Sequence, residues 1–410
     1  MANTFKFGTN GNWAVKDGYA LAYNDENNNF KPLPFDFTRA SSATTLNRQG
    51  LIETVGSGKP RIDFTDNTDG HLLLEPSRTN IIPRSEDIDT GWSKGDVSIT
   101  NNNTISPDGS QNAAKITENT NTSSHVIYDT LTGSVSPSIT CYFSCFIKKG
   151  TKRYIQLREG YSNTQANIDT NTFTLANSSN LTDYEIENYG NEWHRISFKF
   201  TSNSSGNIQF ACYLLDDSQN TSYTGDGTSY VYLWGAQVET GSYATSYIPT
   251  EGSSVTRVAE LCNDAGNSTV INKNQGVIFA EIAALADDLT FRQITLNDGG
   301  LNTILIGYRT NTNRIYSQLV SNNVSQAFLS YDVTDITEFH KVALVYENNR
   351  VDLWIDGVKR ASDTSATMPL NLTNIDLRGT TGSGQFYAKT KQIKLYNTAL
   401  TDTELQNLTS

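Results

Sequence analysis

Strict alternation of apolar and polar side chains is the feature that most limits what this sequence can fold into. In residues 153–158, Ile155 and Leu157 are apolar between polar or tyrosine neighbours, and residues 208–214 and 230–234 alternate in the same way. A period of two places successive side chains on opposite faces of a strand, whereas a helix needs a period near 3.6. Short runs of this kind, bounded by Asn, Gly, Asp and Ser, are typical of antiparallel sheets.

The predicted fold class is therefore all-β, with antiparallel β-sandwiches of the jelly-roll type in tandem, preceded by an irregular or β N-terminal region. Further alternating runs lie at 277–282, 302–308, 314–320, 341–346 and 351–355. A short C-terminal helix is also predicted, because Thr401 and Glu404 fit a capping box ahead of Leu405 and Leu408. Helical runs do not alternate with the strands, which argues against a parallel α/β sheet.

Composition argues against two kinds of partner. The chain has 410 residues, with 31 Lys plus Arg against 43 Asp plus Glu, and a formal charge of -12. Affinity for nucleic acid comes from clustered Lys and Arg, so this balance does not favour it. No stretch approaches the roughly 18 apolar residues of a membrane helix, so membrane insertion is not expected. Residues 1–6 carry no apolar run before a cleavage site, so we expect synthesis in a cytoplasm without a secretory signal.

The cysteines predict buried free thiols and no metal centre of their own. Cys141 and Cys145 would lie about 13 Å apart on a strand that rises about 3.3 Å per residue, beyond the roughly 7 Å limit for a disulfide. Neither the cysteines nor the histidines have the paired spacing of a zinc site. No cofactor is predicted, and metal is left open, since Asp216-Asp217 and Asp287-Asp288 are candidate ligands of a structural calcium ion.

Several arginines stand in polar or β-rich surroundings and are interpreted as structural. Arg39, Arg61 and Arg78 have few carboxylates adjacent in sequence. A planar guanidinium makes several hydrogen bonds in fixed directions. We expect these side chains to bind loop carbonyls or to pair with Asp63 or Glu75 across the fold.

Longer motifs resemble those of bacteriophage virion proteins. The segments that carry this likeness are FTRASSAT at 37–44, LLLEPSRTN at 72–80, FSCFIKKG at 143–150, WGAQVE at 234–239 and ATSYIPT at 244–250. The first two resemble an N-terminal signature of such proteins, and the other three look like phage carbohydrate-binding jelly rolls. The last third, with HKVALV at 340–345 and LWIDG at 353–357, is similar to concanavalin A-like, laminin-G-type lectin domains.

The resemblance implies a tail-fibre, baseplate or capsid appendage on the virion surface. It divides the chain into an N-terminal attachment or assembly region (1–83), a carbohydrate-binding jelly roll (84–256) and a lectin-like sandwich (257–410). The implied partners are host-surface glycan, other virion proteins and further copies of the chain, with a homotrimer favoured. Many modules of this kind are structural spacers, so an architectural connector or decoration protein without a ligand is the alternative.

A candidate glycan-binding surface follows from the parity of the middle strands. If the apolar positions face the core, the opposite parity carries aromatic, amide and charged side chains: Tyr154, Gln156, Arg158, Gln209, Tyr213, Tyr230 and Tyr232. Aromatic faces suit sugar C–H surfaces, and amides and charges reach hydroxyls. Trp92, in a Gly-containing polar loop, is a further candidate, unless it packs onto a sandwich end. The same composition suits a face covered by a loop or by a neighbouring subunit.

Catalysis is not predicted, although a depolymerase of capsule or exopolysaccharide is a second alternative. Asp183, Glu185 and Glu187 alternate along one strand, and a retaining glycosidase needs two carboxyls about 5–5.5 Å apart. The run lies in the middle module, however, whereas the resemblance would require such acids in the lectin-like one. No Ser/His/Asp grouping and no phosphate-binding glycine loop is visible.

Overall fold

The computed structural model describes residues 4–8, 13–16, 18–24, 29–65 and 68–410. The prediction about a secretory signal was made on residues 1–6, of which the first three lie outside the described residues. Strands dominate, and the all-β prediction is confirmed. The chain forms two compact units: the first comprises Met1–Arg48, Val55–Pro76 and Val258–Ser410, and the second Gln49–Thr54 and Ser77–Arg257. In the part of the chain that the structure describes, no helix is long and apolar enough to cross a membrane.

The strands before residue 81 are short because turn residues interrupt them. They are β1 (Thr4–Phe7), β2 (Ala14–Lys16), β3 (Tyr19–Asn24), β4 (Asn29–Thr38), β5 (Ala43–Leu46), β6 (Ile52–Val55), β7 (Arg61–Asp63), β8 (His71–Leu73) and β9 (Arg78–Asn80). Gly18 and Gly70, for example, have φ of 79° and 76°, in the left-handed region that glycine enters without a steric penalty.

Residues 93–240 provide most strands of the second unit. These are β10 (Ser93–Gly95), β11 (Val97–Thr104), β12 (Ala113–Glu118), β13 (Thr122–Leu131), β14 (Thr140–Lys148), β15 (Tyr154–Glu159), β16 (Thr164–Asp169), β17 (Thr174–Ser179), β18 (Tyr184–Asn188), β19 (Trp193–Thr201), β20 (Ile208–Leu215), β21 (Ser222–Thr224) and β22 (Tyr230–Thr240). A seven-stranded sheet has the order β10-β13-β20-β15-β16-β17, with β21 beside β13. A six-stranded sheet has the order β11-β12-β22-β14-β19-β18.

Apolar side chains of both sheets fill one core in this unit. Ile155 and Leu157 from β15, Cys212 from β20 and Leu233 from β22 are all buried there, as their parity predicted. The two sheets therefore pack as a sandwich, with the opposite-parity side chains on its two outer faces.

The remaining strands belong mainly to the first unit. They are β23 (Val255–Arg257), β24 (Leu261–Asn263), β25 (Gln275–Ala284), β26 (Arg292–Asn297), β27 (Thr303–Tyr308), β28 (Arg314–Ser321), β29 (Val324–Asp332), β30 (His340–Glu347), β31 (Arg350–Ile355), β32 (Val358–Asp363), β33 (Asn374–Asp376) and β34 (Ala388–Tyr396). A twelve-stranded sheet includes the path β24-β4-β3-β1-β34-β25-β30-β31-β32, and a five-stranded sheet has the order β29-β28-β27-β26-β33.

Strands from near the N-terminus complete the sandwich of the C-terminal third. Strand β1 pairs antiparallel with β34, which places Phe5 opposite Leu395. Phe7 and Phe35 are buried in the same core, with ring centroids 4.4 Å apart. Sequence reasoning assigned residues 1–83 to a region of their own, whereas the structure groups most of them with residues 258–410. Sheet pairing between segments this far apart has no local sequence signal, which is why the two divisions differ.

A fully buried ionic network ties distant segments of the first unit together. Glu260 accepts hydrogen bonds from Arg39 Nη1 at 2.6 Å, from Arg61 Nε at 2.9 Å and Nη2 at 2.5 Å, and from the Glu75 backbone N–H at 2.9 Å. Arg61 Nη2 also donates to Glu75 at 2.7 Å. Burial opposes the charge on Arg61, but Glu260 and Glu75 outweigh it and raise the pKa of Arg61. The network holds two positive and two negative side chains, so their charges balance.

The structural interpretation of the arginines is confirmed. Arg39 donates to the carbonyls of Ser41 at 2.8 Å and Gly56 at 2.7 Å, in addition to its bond with Glu260. Arg78, in the second unit, donates to the Ser77 carbonyl at 3.1 Å and lies 3.8 Å from a carboxylate oxygen of Glu239.

The C-terminal helix and the cysteines also agree with prediction. Helix α1 (Asp402–Thr409) has a capping box: the Thr401 side chain accepts from the Glu404 N–H, and the Glu404 side chain accepts from the Thr401 N–H at 2.8 Å. Its Leu405 packs into a small apolar cluster of the first unit. All four cysteines are free and buried, and burial raises the pKa of the Cys141 thiol to about 12.

Acid should weaken the first unit through His71. Burial lowers the pKa of His71 from 6.5 to about 4, despite the Asp63 carboxylate 3.8 Å away. Between those values the unfolded chain binds a proton that the folded chain excludes, so stability falls as pH drops from 6.5 towards 4, by at most about 1.4 kcal/mol per pH unit. Urea denaturation across this range should show that slope in the wild type and a flatter one in His71→Gln. Equal slopes in the two proteins would contradict this assignment.

Candidate functional site

Six polar or aromatic side chains, with one valine and one alanine, form part of the outer face of the seven-stranded sheet in the second unit. They form two neighbouring rows across strands β13, β20, β15 and β16, in the register Val126–Tyr213–Gln156–Asn167 and Tyr128–Ala211–Arg158–Gln165. Adjacent strands lie about 4.8 Å apart, and rows two residues apart are separated by roughly 7 Å. We call these eight residues the amide–tyrosine face.

A chain of amide hydrogen bonds runs across this face. Gln156 Nε2 donates to Asn167 Oδ1 at 2.9 Å, and Asn167 Nδ2 donates to Gln219 Oε1 at 3.1 Å. Gln156 is only 4% exposed, and among the described residues its Oε1 has no hydrogen-bond partner. A buried acceptor left without a donor costs about 1–3 kcal/mol, so this oxygen would gain a hydrogen bond if the side chain turned outward to a ligand hydroxyl.

The second row contains a cationic side chain and a depression in the face. Arg158 Nη2 donates to Asn163 Oδ1 at 2.5 Å, and within the described ranges no carboxylate forms an ion pair with it. Ala211 lies between Tyr128 and Arg158 in the register. Ala211 carries only a methyl group between two long side chains, so the face has a depression at this position.

The predicted tyrosines of this sheet differ in how freely their rings can be reached. Tyr213 is half-buried, and no aromatic or cationic group of the described chain lies against its ring. The ring of Tyr154 is covered by the Arg153 guanidinium, 4.7 Å from its centroid, and this arginine pairs with Asp169 at 2.9 Å. Tyr213 is therefore the aromatic platform of the face.

Gln209 lies on the same strand as Tyr213, towards the opposite end of the sheet. Its Nε2 donates to Thr130 Oγ1 at 3.1 Å. A Cβ built on Gly160 would lie 2.3 Å from the Gln209 Oε1, so this amide is closely enclosed by protein. Gln209 is half-buried, and its amide already contacts Thr130 and the Gly160 backbone.

Tyr230 and Tyr232 lie on the outer face of the other sheet. Strand β22 pairs with β12 and β14 in the six-stranded sheet, and its Val231 and Leu233 fill the core from that side. The two tyrosine centroids are 5.3 Å apart, and Lys115 Nζ lies 3.9 Å from the Tyr230 centroid. The predicted side chains thus lie on opposite faces of the sandwich. The alternation along a strand shows which side chains face the core, but it does not show which of the two sheets the strand joins.

Trp92 is part of the core and does not line either face. The prediction that it contacts a glycan is therefore wrong. Trp92 is 5% exposed, its Nε1 donates to the Arg84 carbonyl at 3.1 Å, and its ring meets Phe210 edge to face at 5.8 Å. The indole buries its apolar surface against the end of the sandwich while the backbone satisfies its one donor. The packing alternative stated for this residue is the one observed.

Three of the acidic residues raised as candidates take part in ordinary ion pairs or turns. Asp183 lies 3.6 Å from Lys199 and Asp288 lies 2.7 Å from Arg292. Asp216 accepts from the backbone N–H of Asn220 at 2.8 Å. No group of three or more His, Cys, Asp or Glu side chains within the described ranges is arranged to hold a metal ion.

Sequence reasoning missed five of the eight residues of the face, including Tyr128 and Asn167. Tyr128 and Asn167 lie on β13 and β16, which were not identified as strands. Their signal was present, because Ala166 and Ile168 are apolar around Asn167, and Ile127 is apolar beside Tyr128. Both runs are rich in Ser, Thr and Asn, which weakens the contrast between their two faces.

Comparison with known families identifies the fold of part of the first unit. The family described as the Concanavalin A-like lectin/glucanases superfamily matches residues 280–406. This segment is a lectin-like β-sandwich, as the C-terminal resemblance predicted. No curated protein matches the sequence.

Solved structures show only distant likeness. Domain 4 of AbnA, a GH43 extracellular arabinanase from Geobacillus stearothermophilus in complex with arabinotriose, is 14% identical, with a TM-score of 0.31 over 41% of this chain and 82% of that one. Mouse laminin alpha1 chain domains LG4-5 are 10% identical, with a TM-score of 0.22 over 68% and 86%. Trypanosoma rangeli sialidase with the inhibitor DANA is 10% identical, with a TM-score of 0.29 over 94% and 73%. At these scores, none of the three carries a functional argument.

Proposed function

We propose that this protein recognises glycans without cleaving them, and that the amide–tyrosine face is a binding surface. The observation that carries the proposal is the buried Gln156 Oε1, which lacks a donor and lies on the strand next to the accessible ring of Tyr213. The lectin-like sandwich at 280–406 supports a carbohydrate-directed role for the chain as a whole.

The mode of recognition follows from the spacing of the face. A sugar ring packed on Tyr213 places its hydroxyls near Gln156 and Asn167, one and two strands away at about 4.8 Å per strand. Arg158 belongs to the second row and contacts the next sugar of the ligand, which lies over the depression at Ala211. A sheet face encloses only one side of a ligand, so each site binds weakly, and several copies on one scaffold raise the avidity without any new contact.

The setting of this activity is also part of the proposal. The protein is displayed on a phage virion as a tail-fibre, baseplate or capsid appendage, in a homotrimer beside other virion proteins, and its ligand is host-surface glycan. Support comes from the sequence likeness of the segments at 37–44, 72–80, 143–150 and 234–250 to phage virion proteins. Antibody labelling of intact particles tests it, because a protein absent from the particle surface would contradict this setting.

Replacing Tyr213 with alanine should weaken glycan binding by about tenfold or more, since an aromatic anchor is removed from the middle of the surface. The measurement is an array of bacterial capsular and O-antigen glycans, followed by titration of the best ligand. Tyr184→Ala is the matched control, because Tyr184 is 47% exposed on β18 of the other sheet. Its affinity should equal that of the wild type.

Each other outcome assigns a different function. No binding by the wild type across the panel favours the architectural connector, and release of reducing ends from a polysaccharide favours the depolymerase. If the wild type binds and Tyr213→Ala binds equally well, the site lies elsewhere and the amide–tyrosine face is excluded.

A further inference from the structure

An arginine on the five-stranded sheet of the first unit lies against three aromatic rings. The guanidinium carbon of Arg309 is 4.6 Å from the centroid of Phe328, 5.6 Å from that of Tyr316 and 5.8 Å from that of Phe291. Tyr316 lies between the other two rings, with centroid distances of 6.3 Å to Phe291 and 5.9 Å to Phe328. We call these four residues the arginine–aromatic patch.

Two of these rings are exposed and do not belong to the hydrophobic core. Phe291 is 42% exposed and Phe328 is 43% exposed, whereas the inward side chains of the same sheet, such as Ile306 and Leu319, are fully buried. Single exposed apolar residues are common, but neighbouring exposed aromatics around one cation form a surface suited to a ligand.

The charge of Arg309 is not balanced by an ion pair. Within the described residues, no carboxylate lies within 4.0 Å of its guanidinium, whereas Arg314, on the adjacent strand, pairs with Asp332 at 2.6 Å. The chain carries 43 acidic against 31 basic residues, yet none of the described acids pairs with Arg309. A guanidinium stacked on rings still presents its N–H edge, which matches a carboxylate in a bidentate geometry.

A polar border adjoins the patch at Gln293. Its Nε2 donates to the Tyr316 hydroxyl, and its backbone N–H donates to the Gly384 carbonyl at 3.0 Å. A Cβ built on Gly379 would lie 2.2 Å from the Gln293 Oε1, so only glycine lets the loop backbone approach this amide so closely. Gln293 therefore holds the Tyr316 hydroxyl and the loop together at one edge of the patch.

We infer that the arginine–aromatic patch binds a saccharide that bears a carboxylate, such as a uronic or sialic acid unit. The carboxylate accepts hydrogen bonds from Arg309, and the apolar side of the sugar ring packs on Phe328 or Phe291. A neutral sugar lacks the charge that Arg309 requires. This site lies in a different unit from the amide–tyrosine face and does not depend on it.

Titration of the full chain with oligogalacturonate and with its methyl ester tests the inference. The two ligands share their sugar rings and differ in charge. The acid should bind at least about tenfold more tightly than the ester, and Arg309→Ala should lose at least about tenfold for the acid, as expected for one charge-assisted hydrogen-bonded pair. Arg309→Lys should retain part of the affinity, and added salt should weaken the wild type.

Matched variants separate this site from other effects. Arg314→Ala removes a neighbouring arginine that is already paired and should leave the affinity for the acid within about twofold, since exposed pairs contribute little. Tyr213→Ala should have no effect on the acid, even if it abolishes binding to the amide–tyrosine face. Arg309→Ala should unfold only slightly below the wild-type temperature, because its side chain loses ring contacts but, in the described structure, no hydrogen bond or ion pair.

Four results would overturn the inference. They are no binding of oligogalacturonate, oligomannuronate or sialyllactose by the wild type, equal affinity for acid and ester, and wild-type affinity in Arg309→Ala. The fourth is tighter binding of an oligoglutamate peptide through the same arginine, which would make the ligand an acidic protein segment.

Discussion

Replacing Glu260 with alanine should destabilise the first unit by about 3–5 kcal/mol, the range for removing one partner of a buried ion pair. Glu260 neutralises Arg39 and Arg61, and all three side chains are fully excluded from solvent. Without it, Glu75 is left to balance two buried guanidinium groups, and the Arg61 Nε and Glu75 N–H lose their acceptor. The loss should exceed that of most single substitutions.

Hydrogen exchange followed by mass spectrometry measures this effect separately for peptides of each unit. Peptides of the first unit should lose protection, whereas those from residues 77–257 should change little. Glu338→Ala is the control, because Glu338 is an exposed glutamate of the same unit. Protection in Glu260→Ala equal to that of this control would show that the network adds little to stability.

Replacing Phe35 with alanine should cost about 3–5 kcal/mol, the range for emptying a buried aromatic site. Phe35 is fully buried, packs on Phe7 and shares one core with Ile393 and Leu395 of strand β34. The substitution should therefore weaken the C-terminal third, more than 200 residues away in sequence, as strongly as the N-terminal strands.

In Phe35→Ala, we expect peptides of β25 and β34 to lose protection from hydrogen exchange. The control is Phe328→Ala, which removes a partly exposed phenylalanine from the same unit and should cost about 1 kcal/mol, well below the loss expected for Phe35→Ala. If the N-terminal peptides alone lose protection, the strands before residue 49 are an independent element. The C-terminal sandwich would then be stable without them.

Local patterns were sufficient to predict the fold class and the direction in which many side chains point. The alternation in β15 and β20 correctly placed Ile155 and Cys212 in the core and Gln156 and Tyr213 outside it. The capping box correctly located the start of α1. These features depend on neighbouring residues along one strand or one helical turn, so the sequence contains the whole signal.

The candidate site could be predicted only in part, for a physical reason. Parity tells which side of a strand meets the core, but the sheet that a strand joins depends on its hydrogen-bonded partners. Tyr232 and Tyr213 share outward parity and yet lie on opposite faces, because β22 pairs with β14 and β20 pairs with β15. Trp92 was drawn from a polar loop, and only the packed core shows that its ring is enclosed.

The sequence by itself determined that this protein is all-β, where many of its strands alternate, and that Arg39, Arg61 and Arg78 act within the fold. Only the tertiary structure decided that Glu260, 199 residues from Arg61, completes their network, and that the first strands join the last third. It also brought Phe291, Arg309 and Phe328 together from separate strands and loops. Contacts across such separations arise from sheet pairing and burial of the whole chain, and no local pattern encodes them.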